Sequence, residues 1–140
     1  MIGLKEQTKN MKENTWKNAP EDISKYQGYV YIITEIDTGM LYIGKKNFWK
    51  KIKRKPLKGK KRRRISIVES DWKTYNSSNK ILQEKIELDP SNYEKTIIEL
   101  CSSKQDMAIY ETAHQIKAYL NGEWGQYFNE VINIRVRVRK

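Results

Sequence analysis

The chain has 140 residues, a single cysteine and a formal net charge of +11, which fits one domain that builds its own core without disulfides or a structural metal. Cys101 lies in an apolar run, so we expect a packed thiol and a reducing compartment, the cytoplasm. No apolar run approaches the roughly 18 residues of a membrane span, and residues 1–27 lack the apolar centre of a signal peptide.

The positive charge is concentrated in two places. Residues 45–64 carry 13 lysine and arginine residues and no acidic residue, and residues 135–140 form a short basic tail. A localised block of cations is typical of a surface that binds a polyanion, most often nucleic acid. The alternative is a charged segment that is only solvated. The residues on either side of the block are needed to distinguish a binding surface from such a segment.

The predicted domain follows a polar arm, residues 1–27, which Trp16 is placed to dock. From Tyr29 the chain becomes apolar and β-prone in the runs YVYIIT and MLYIG. Asp37 and Gly39, between the two runs, are turn-forming residues. This arrangement predicts a β-hairpin.

A basic insertion separates the hairpin from the next elements. It covers residues 45–68, and we expect it on the surface because its proline and glycine interrupt any long helix. Ser77 or Ser78 can then cap a helix that runs to Leu88. The apolar run Tyr93–Cys101 predicts a third strand.

A second helix is predicted from Ser103, which begins an S-x-x-D capping arrangement, to Leu120, just before an Asn-Gly stop signal. At 100° per residue, Glu111 points away from the apolar stripe of this helix. An exposed helix glutamate is the simplest interpretation of that position. The stripe consists of Ile109, Ala113, Ile116 and Leu120.

The end of the chain alternates apolar and arginine residues over Ile134–Arg139, which is typical of an edge strand with a cationic outer face. The whole order predicts a small α/β domain with an antiparallel sheet over residues 28–134.

Several kinds of chemistry are excluded by the inventory. One histidine and one cysteine cannot build an ordinary four-ligand zinc site, and the sequence has no phosphate-binding G-x-x-x-x-G-K-[ST] loop. Cys101 and His114 lack a supporting catalytic motif. Glu111-x-x-His114 matches half of a helical di-metal motif, but a second copy is absent from the sequence.

The tyrosines of the hairpin allow two interpretations. Tyr29, Tyr31 and Tyr42 suit a β-sheet core, because aromatic side chains pack well on strands. However, Gly44 permits close backbone approach just before Lys45. A phenol near an ammonium group has its ionised form favoured, which would make a tyrosine usable as a base toward water or as a phosphate contact.

The two tyrosine motifs resemble those of the GIY-YIG nuclease superfamily. Tyr31 in YVY and Tyr42 in YIG are eleven residues apart, with Tyr29 at the position of the family's first glycine. Glu111 corresponds to the family's metal-binding helix glutamate, and Asn129 to its late asparagine. The resemblance spans residues 28–134 and implies a central three-stranded antiparallel sheet flanked by helices. The run ESDWKTYNSS resembles phage-encoded members that are compared with mobility endonucleases.

The resemblance implies a divalent-metal-dependent DNA endonuclease that hydrolyses phosphodiester bonds. In that scheme Tyr31, with Tyr42, activates water, and Glu111 holds one Mg²⁺ or Mn²⁺ ion. Lys45 and Arg54 clamp the scissile phosphate. The family's arginine lies on a helix about eight residues after the YIG glycine, an offset that falls within the basic insertion here. Arg54 is therefore the first choice, with Arg62, Arg63 and Arg64 as rivals.

A wider set of residues is expected to contact DNA. Asn76 stands near the position of a histidine that is common in the family. Trp49 and Trp72 either stack on a base or pack in the core. The expected DNA-binding residues are Lys46, Lys50, Lys51, Lys53, Arg62, Arg63, Arg64, Asn76, Ser77 and Asn129.

The sequence is compatible with three functions. The first is a DNA endonuclease, which would need a homodimer or two visits for a double-strand break and would work in the host cytoplasm if phage-encoded. The second is a non-catalytic basic module that binds nucleic acid, which would have no use for Glu111. The third is a protein-interaction domain with a cationic tail.

Overall fold

The computed structural model describes residues 15–132 and Val138. Its strands are β1 (Trp16–Lys17), β2 (Gly28–Glu35), β3 (Leu41–Asn47), β4 (Trp49–Arg54), β5 (Arg64–Glu69) and β6 (Tyr93–Cys101). The α-helices are α1 (Lys80–Leu88) and α2 (Lys104–Leu120), and 3-10 turns occupy Ile23–Lys25, Trp72–Thr74, Pro90–Asn92 and Trp124–Gln126. The predicted tail strand falls largely on residues 133–137, which lie outside the described residues.

The central sheet has the strand order β1-β6-β2-β3. β6, β2 and β3 are antiparallel neighbours, which confirms the predicted three-stranded sheet, and β1 adds a short parallel strand beside β6. β1 comes from the segment expected to be a polar arm. Its Trp16 is buried, with ring centroids 5.1 Å from Tyr29 and 4.9 Å from Tyr31. The second half of the arm therefore contributes to the core.

The basic insertion is a β-hairpin, where an irregular surface segment was expected. β4 and β5 pair in a separate two-stranded sheet, in register from Trp49–Glu69 to Arg54–Arg64. Ile65, Ile67 and Val68 have the β-branched side chains that favour a strand. We call residues 49–69 the basic ribbon.

Both faces of the sheet are covered, which explains why β2 is apolar at nearly every position. On one face Tyr29, Tyr31 and Ile33 pack with Leu82 and Ile86 of α1. The opposite face is covered by α2, where Met107 packs against Val30, Ile43 and Cys101. Cys101 is free and 1% exposed, as predicted from its neighbours.

The helix caps follow the sequence in one case and differ in the other. Ser103 caps α2 as predicted, with its hydroxyl accepting from Asp106 N at 3.1 Å. α1 is capped by Asn79 and not by Ser77 or Ser78, because the Asn79 side chain accepts from Ile81 N and Leu82 N. The Ser78 side chain takes no part in this cap, so its hydroxyl can interact elsewhere.

The predicted buried stripe of α2 is wrong. Leu120 is 75% exposed and Ile116 is 37% exposed, whereas Met107, Gln115 and Ala118 are buried. Glu111 lies on this second face, four residues from Met107 and four from Gln115, so it faces the sheet. The buried face of α2 is thus partly polar, which the apolar pattern alone could not indicate.

Gly44 of β3 lies in close contact with Tyr31 of β2. Gly44 and Tyr31 are cross-strand partners, and the Tyr31 ring and hydroxyl lie directly over the glycine. A Cβ on residue 44 would overlap Tyr31, whose side chain is fully buried. The glycine of the YIG motif is therefore required by the tyrosine of the neighbouring strand.

We predict that Gly44→Ala destabilises the protein by about 1–3 kcal/mol, because the added methyl group forces a buried ring out of place. Urea unfolding measures this change. Gly125→Ala is the matched control, since a Cβ there meets no atom within 4 Å. The double variant Gly44→Ala/Tyr31→Phe should recover part of the loss. Equal stability of the two alanine variants would contradict the proposed overlap.

Candidate active site

The sequence-predicted site residues are distributed around β3, which is the edge strand of the central sheet. Tyr42 and Gly44 pair with Ile33 and Tyr31, and alternation along a strand puts these four residues on the face covered by α1. Lys45, the partner of Val30, points to the other face. The structure therefore builds two groups of polar side chains, one on each side of the same edge strand.

The first group is a cluster of hydroxyls. The Tyr42 and Ser78 hydroxyls are 3.0 Å apart, and Ser78 is exposed. Tyr75 lies edge-on to Tyr31, with centroids 6.1 Å apart. The Tyr31 hydroxyl is buried, and its interaction with the neighbouring Tyr75 side chain falls outside good hydrogen-bond geometry. A buried hydroxyl without a well-formed hydrogen bond is rare in proteins and often marks a functional site.

The environment of Tyr31 opposes its ionisation. Burial raises the pKa of the Tyr31 phenol well above its ordinary value, and the nearby Tyr75 and Tyr42 raise it further. The expectation that an ammonium group would favour a Tyr31 phenolate is therefore not supported in this state. Tyr31 retains its proton at neutral pH.

The segment that carries Tyr75 and Ser78 is fixed by a buried lysine. Lys95 is 1% exposed, and its ammonium donates to Tyr75 O at 2.8 Å and to Asn76 Oδ1 at 3.1 Å. Ser77 is also buried and has a φ of 86°. Asn76 and Ser77, expected to contact DNA, instead lie inside the protein and shape this loop.

The second group lies between the sheet and α2. Lys45 Nζ is 3.8 Å from Glu111 Oε1, and only 14% of the Glu111 side chain is exposed. Burial raises the pKa of Glu111, while Lys45 lowers it. A second pair joins His114 to Glu99 on β6 at 3.1 Å. Glu111 is thus not the exposed helix glutamate of the simplest interpretation.

Asn129 fastens the free edge of β3. Its side-chain amide accepts from Ile43 N at 2.9 Å and donates to Ile43 O at 2.8 Å, so it pairs with the strand as another strand would. Phe128 N donates to Leu41 O at 2.7 Å nearby. Asn129 was expected to contact DNA, but its polar atoms are used to hold the motif strand.

Comparison with known protein families places the chain in one of them. Residues 7–132 match the sequence family described as "Putative endonuclease segE, GIY-YIG domain". The chain belongs to this GIY-YIG endonuclease family. Membership implies DNA nuclease activity. No curated protein and no solved structure matched the chain.

This GIY-YIG chain departs from the expected position of the arginine. A strand of the basic ribbon stands where the helix after YIG was expected, and Arg54 Nε donates to Ser66 Oγ at 2.7 Å. Within the described part of the chain, no contact joins Arg54 to Tyr31, Tyr42 or Glu111. Arg62, Arg63 and Arg64 lie farther along the ribbon, at its turn and the start of β5.

The remaining predicted DNA contacts are cations near β3. Lys46 Nζ lies 2.7 Å from Asp71 Oδ1 and 4.2 Å from the centre of the Tyr75 ring. Lys50, Lys51 and Lys53 are exposed on β4. These lysines follow directly from the motif strand into the ribbon.

The donor set suits one hydrated, hard cation. No group of three or more His, Cys, Asp or Glu side chains gathers among the described residues, so a closed protein cage is ruled out there. Mg²⁺ commonly keeps several waters and is held by one or two carboxylates. Glu111, desolvated and beside the motif strand, fits that role. Among the described helices, none is long and apolar enough to cross a membrane.

Sequence reasoning missed three residues of this candidate site: Tyr75, Ser78 and Lys95. The first two lie in the run ESDWKTYNSS, which carried a family signal but no assignable chemistry. Lys95 sits in the interior of the apolar run of β6, and a lone lysine in a buried strand is a recognisable sign of a paired, buried charge.

We predict that Lys95 makes stability rise with pH. Burial lowers the pKa of Lys95 to about 8 from 10.5, so between these values the unfolded chain holds a proton that the folded chain has released. The unfolding free energy of the wild type, relative to Lys95→Met, should increase by about 2 kcal/mol from pH 7 to 9.5.

Urea unfolding at the two pH values measures the difference. Lys25→Met is the matched control at an exposed position. A wild-type advantage over Lys95→Met that stays constant, or falls, from pH 7 to 9.5 would refute the proposed burial of the ammonium.

Proposed function

We propose that the protein is a divalent-metal-dependent DNA endonuclease that hydrolyses phosphodiester bonds at the edge of β3. The observation that carries the proposal is Glu111: a carboxylate turned toward the sheet, largely desolvated and paired with Lys45. A largely desolvated carboxylate on the sheet-facing side of a helix is costly unless it has a partner or a function. Its place beside the YIG strand matches the family resemblance.

Glu111 and Lys45 form the proposed ion and phosphate site. Lys45 favours the ionised form of Glu111, which an Mg²⁺ or Mn²⁺ ion needs as a ligand. The ion, when bound, would supply positive charge to stabilise the phosphate as it reacts. Lys45 is 39% exposed along its side chain, so its ammonium can turn from Glu111 toward a phosphate oxygen.

The hydroxyl cluster is the proposed proton-handling part of the site. Tyr42 reaches solvent through its contact with the exposed Ser78, so this pair is placed to orient a water. Tyr31, which is buried and keeps its proton at neutral pH, can give or take a proton only after its surroundings change. Binding of DNA and a cation would bring such a change, because both alter the local charge.

The contacts of Arg54, Lys45 and Lys46 indicate which cation would bind the scissile phosphate. Arg54 is engaged with Ser66 in this structure, whereas Lys45 and Lys46 lie on the motif strand itself. We propose Lys45 as the main phosphate contact, with Lys46 and the ribbon cations contacting neighbouring phosphates. A double-strand break would need a second copy of the chain or two cutting events, and the buried free thiol of Cys101 suits the cytoplasm.

The second candidate is a non-catalytic module that binds nucleic acid. The basic ribbon alone favours it, since exposed cations are enough for binding. The desolvated Glu111 and the buried Tyr31 hydroxyl favour the enzyme, because neither would help a binding module.

We predict that the protein nicks supercoiled plasmid in Mg²⁺ but not in EDTA, and that Glu111→Gln lowers the nicking rate at least about 100-fold while DNA binding persists. Agarose gels follow the nicking, and gel shifts follow the binding. Glu84→Gln, at an exposed site on α1, is the matched control and should nick normally. Ion-independent nicking, or full activity of Glu111→Gln, would refute the proposed site.

We predict that Tyr31→Phe changes stability by less than about 1 kcal/mol, because the removed hydroxyl makes no hydrogen bond of good geometry, while nicking falls by about 100-fold or more. Tyr93→Phe is the opposite control. It removes a 2.6 Å hydrogen bond to Glu35 and should lower stability without loss of nicking. If Tyr31→Phe nicks as well as the wild type, Tyr31 is a packing residue only.

A further inference from the structure

The basic ribbon presents a surface that the catalytic proposal does not explain. One face of the ribbon places Lys51 opposite Ile67 and Lys53 opposite Ile65. Ile65 is 64% exposed and Ile67 is 66% exposed. Two neighbouring, exposed isoleucines framed by lysines are an unusual surface for a protein that has a complete core elsewhere.

The ribbon is firmly held at its base. Phe48, just before β4, is fully buried and its carbonyl accepts from Ser70 N at 2.7 Å, immediately after β5. Ser70 Oγ also donates to Asn47 O at 2.7 Å. Trp49 Nε1 donates to Tyr26 O at 2.8 Å. Both strands therefore leave the domain from a fixed point, which pre-organises the ribbon for binding.

We infer that the basic ribbon enters the major groove of duplex DNA and sets where the nuclease acts. This inference rests on the proposed DNA substrate. A two-stranded ribbon fits the major groove of B-form DNA, which is about 12 Å wide. The exposed isoleucines offer apolar contacts to thymine methyl groups, and the lysines and arginines face the phosphates on either side.

The geometry also selects among nucleic acids. The major groove of A-form RNA is deep and too narrow for side chains to read, so duplex RNA should not compete for the ribbon. Each strand of the ribbon has six residues, or about 20 Å at 3.3 Å per residue. Because the ribbon continues from β3, the cut should fall within about six base pairs of the occupied groove.

The test compares two duplexes of the same random sequence of base pairs. One carries a bulky substituent at C5 of every thymine, which fills the major groove and leaves the minor groove unchanged. The binding protein is full-length Glu111→Gln, which should bind without cutting. We expect it to bind the modified duplex about tenfold more weakly, and duplex RNA should fail to displace it from the unmodified duplex.

The ribbon variant adds Lys51→Gln, Lys53→Gln, Ile65→Thr and Ile67→Thr. It should bind both duplexes weakly and equally, and its log–log salt slope should fall by about 1.8, or about 0.9 for each lost phosphate contact. The matched control adds Lys80→Gln, Lys117→Gln, Ile81→Thr and Leu88→Thr, the same changes on exposed helix positions. It should retain both the preference and the slope.

The outcomes separate this inference from the proposed function. Equal binding of the two duplexes by the Glu111→Gln protein, binding of neither duplex, or an unchanged preference in the ribbon variant would overturn the groove assignment. Plasmid nicking by the protein with native Glu111, measured in parallel, decides the enzyme proposal alone. A ribbon-dependent preference without any nicking would leave the groove assignment standing and remove the nuclease.

Discussion

The packing of Tyr31 over Gly44 is the contact on which the site depends. It joins the two tyrosine motifs across one pair of strands. The large ring of Tyr31 in the first motif fits only because Gly44 in the second motif has no side chain. The same contact buries the Tyr31 hydroxyl beside the Tyr75 side chain. Packing and chemistry are thus linked, since any change that relieves the close approach also alters the hydroxyl cluster.

The edge position of β3 explains how residues from two faces of a sheet serve one site. Tyr42 and Lys45 point to opposite faces, and within residues 15–132 no further strand covers the Gly44–Lys46 part of the edge. A phosphate backbone that runs along that edge can be approached from both sides. On one side the buried Lys95 supports the hydroxyl loop, and on the other α2 presents Glu111.

Much of the fold was predictable, because the pattern of apolar residues along the chain indicates where strands and helices lie. The hairpin, β6 and the Ser103 cap appeared as expected, and the tyrosine spacing indicated the family. The face of α2 was mispredicted because Glu111 and Gln115 occupy sheet-facing positions that an apolar stripe would normally fill, and such departures from local rules are expected at functional sites. The strands of the ribbon were not predicted, because the many lysines interrupt the pattern of β-branched residues that would indicate a strand. Asn76, Ser77 and Asn129 looked like DNA contacts, since polarity alone does not show whether a side chain serves the backbone.

Because the Asn129 side chain secures β3, the order of synthesis determines when the edge of the candidate site can form. Asn129 follows Ile43 by 86 positions, so a ribosome releases the tyrosine strand long before the amide that secures it. Until then the strand carries bare backbone groups, and its geometry is held from one side only. A nascent chain therefore acquires its basic ribbon well before Asn129 secures the edge strand of the candidate site.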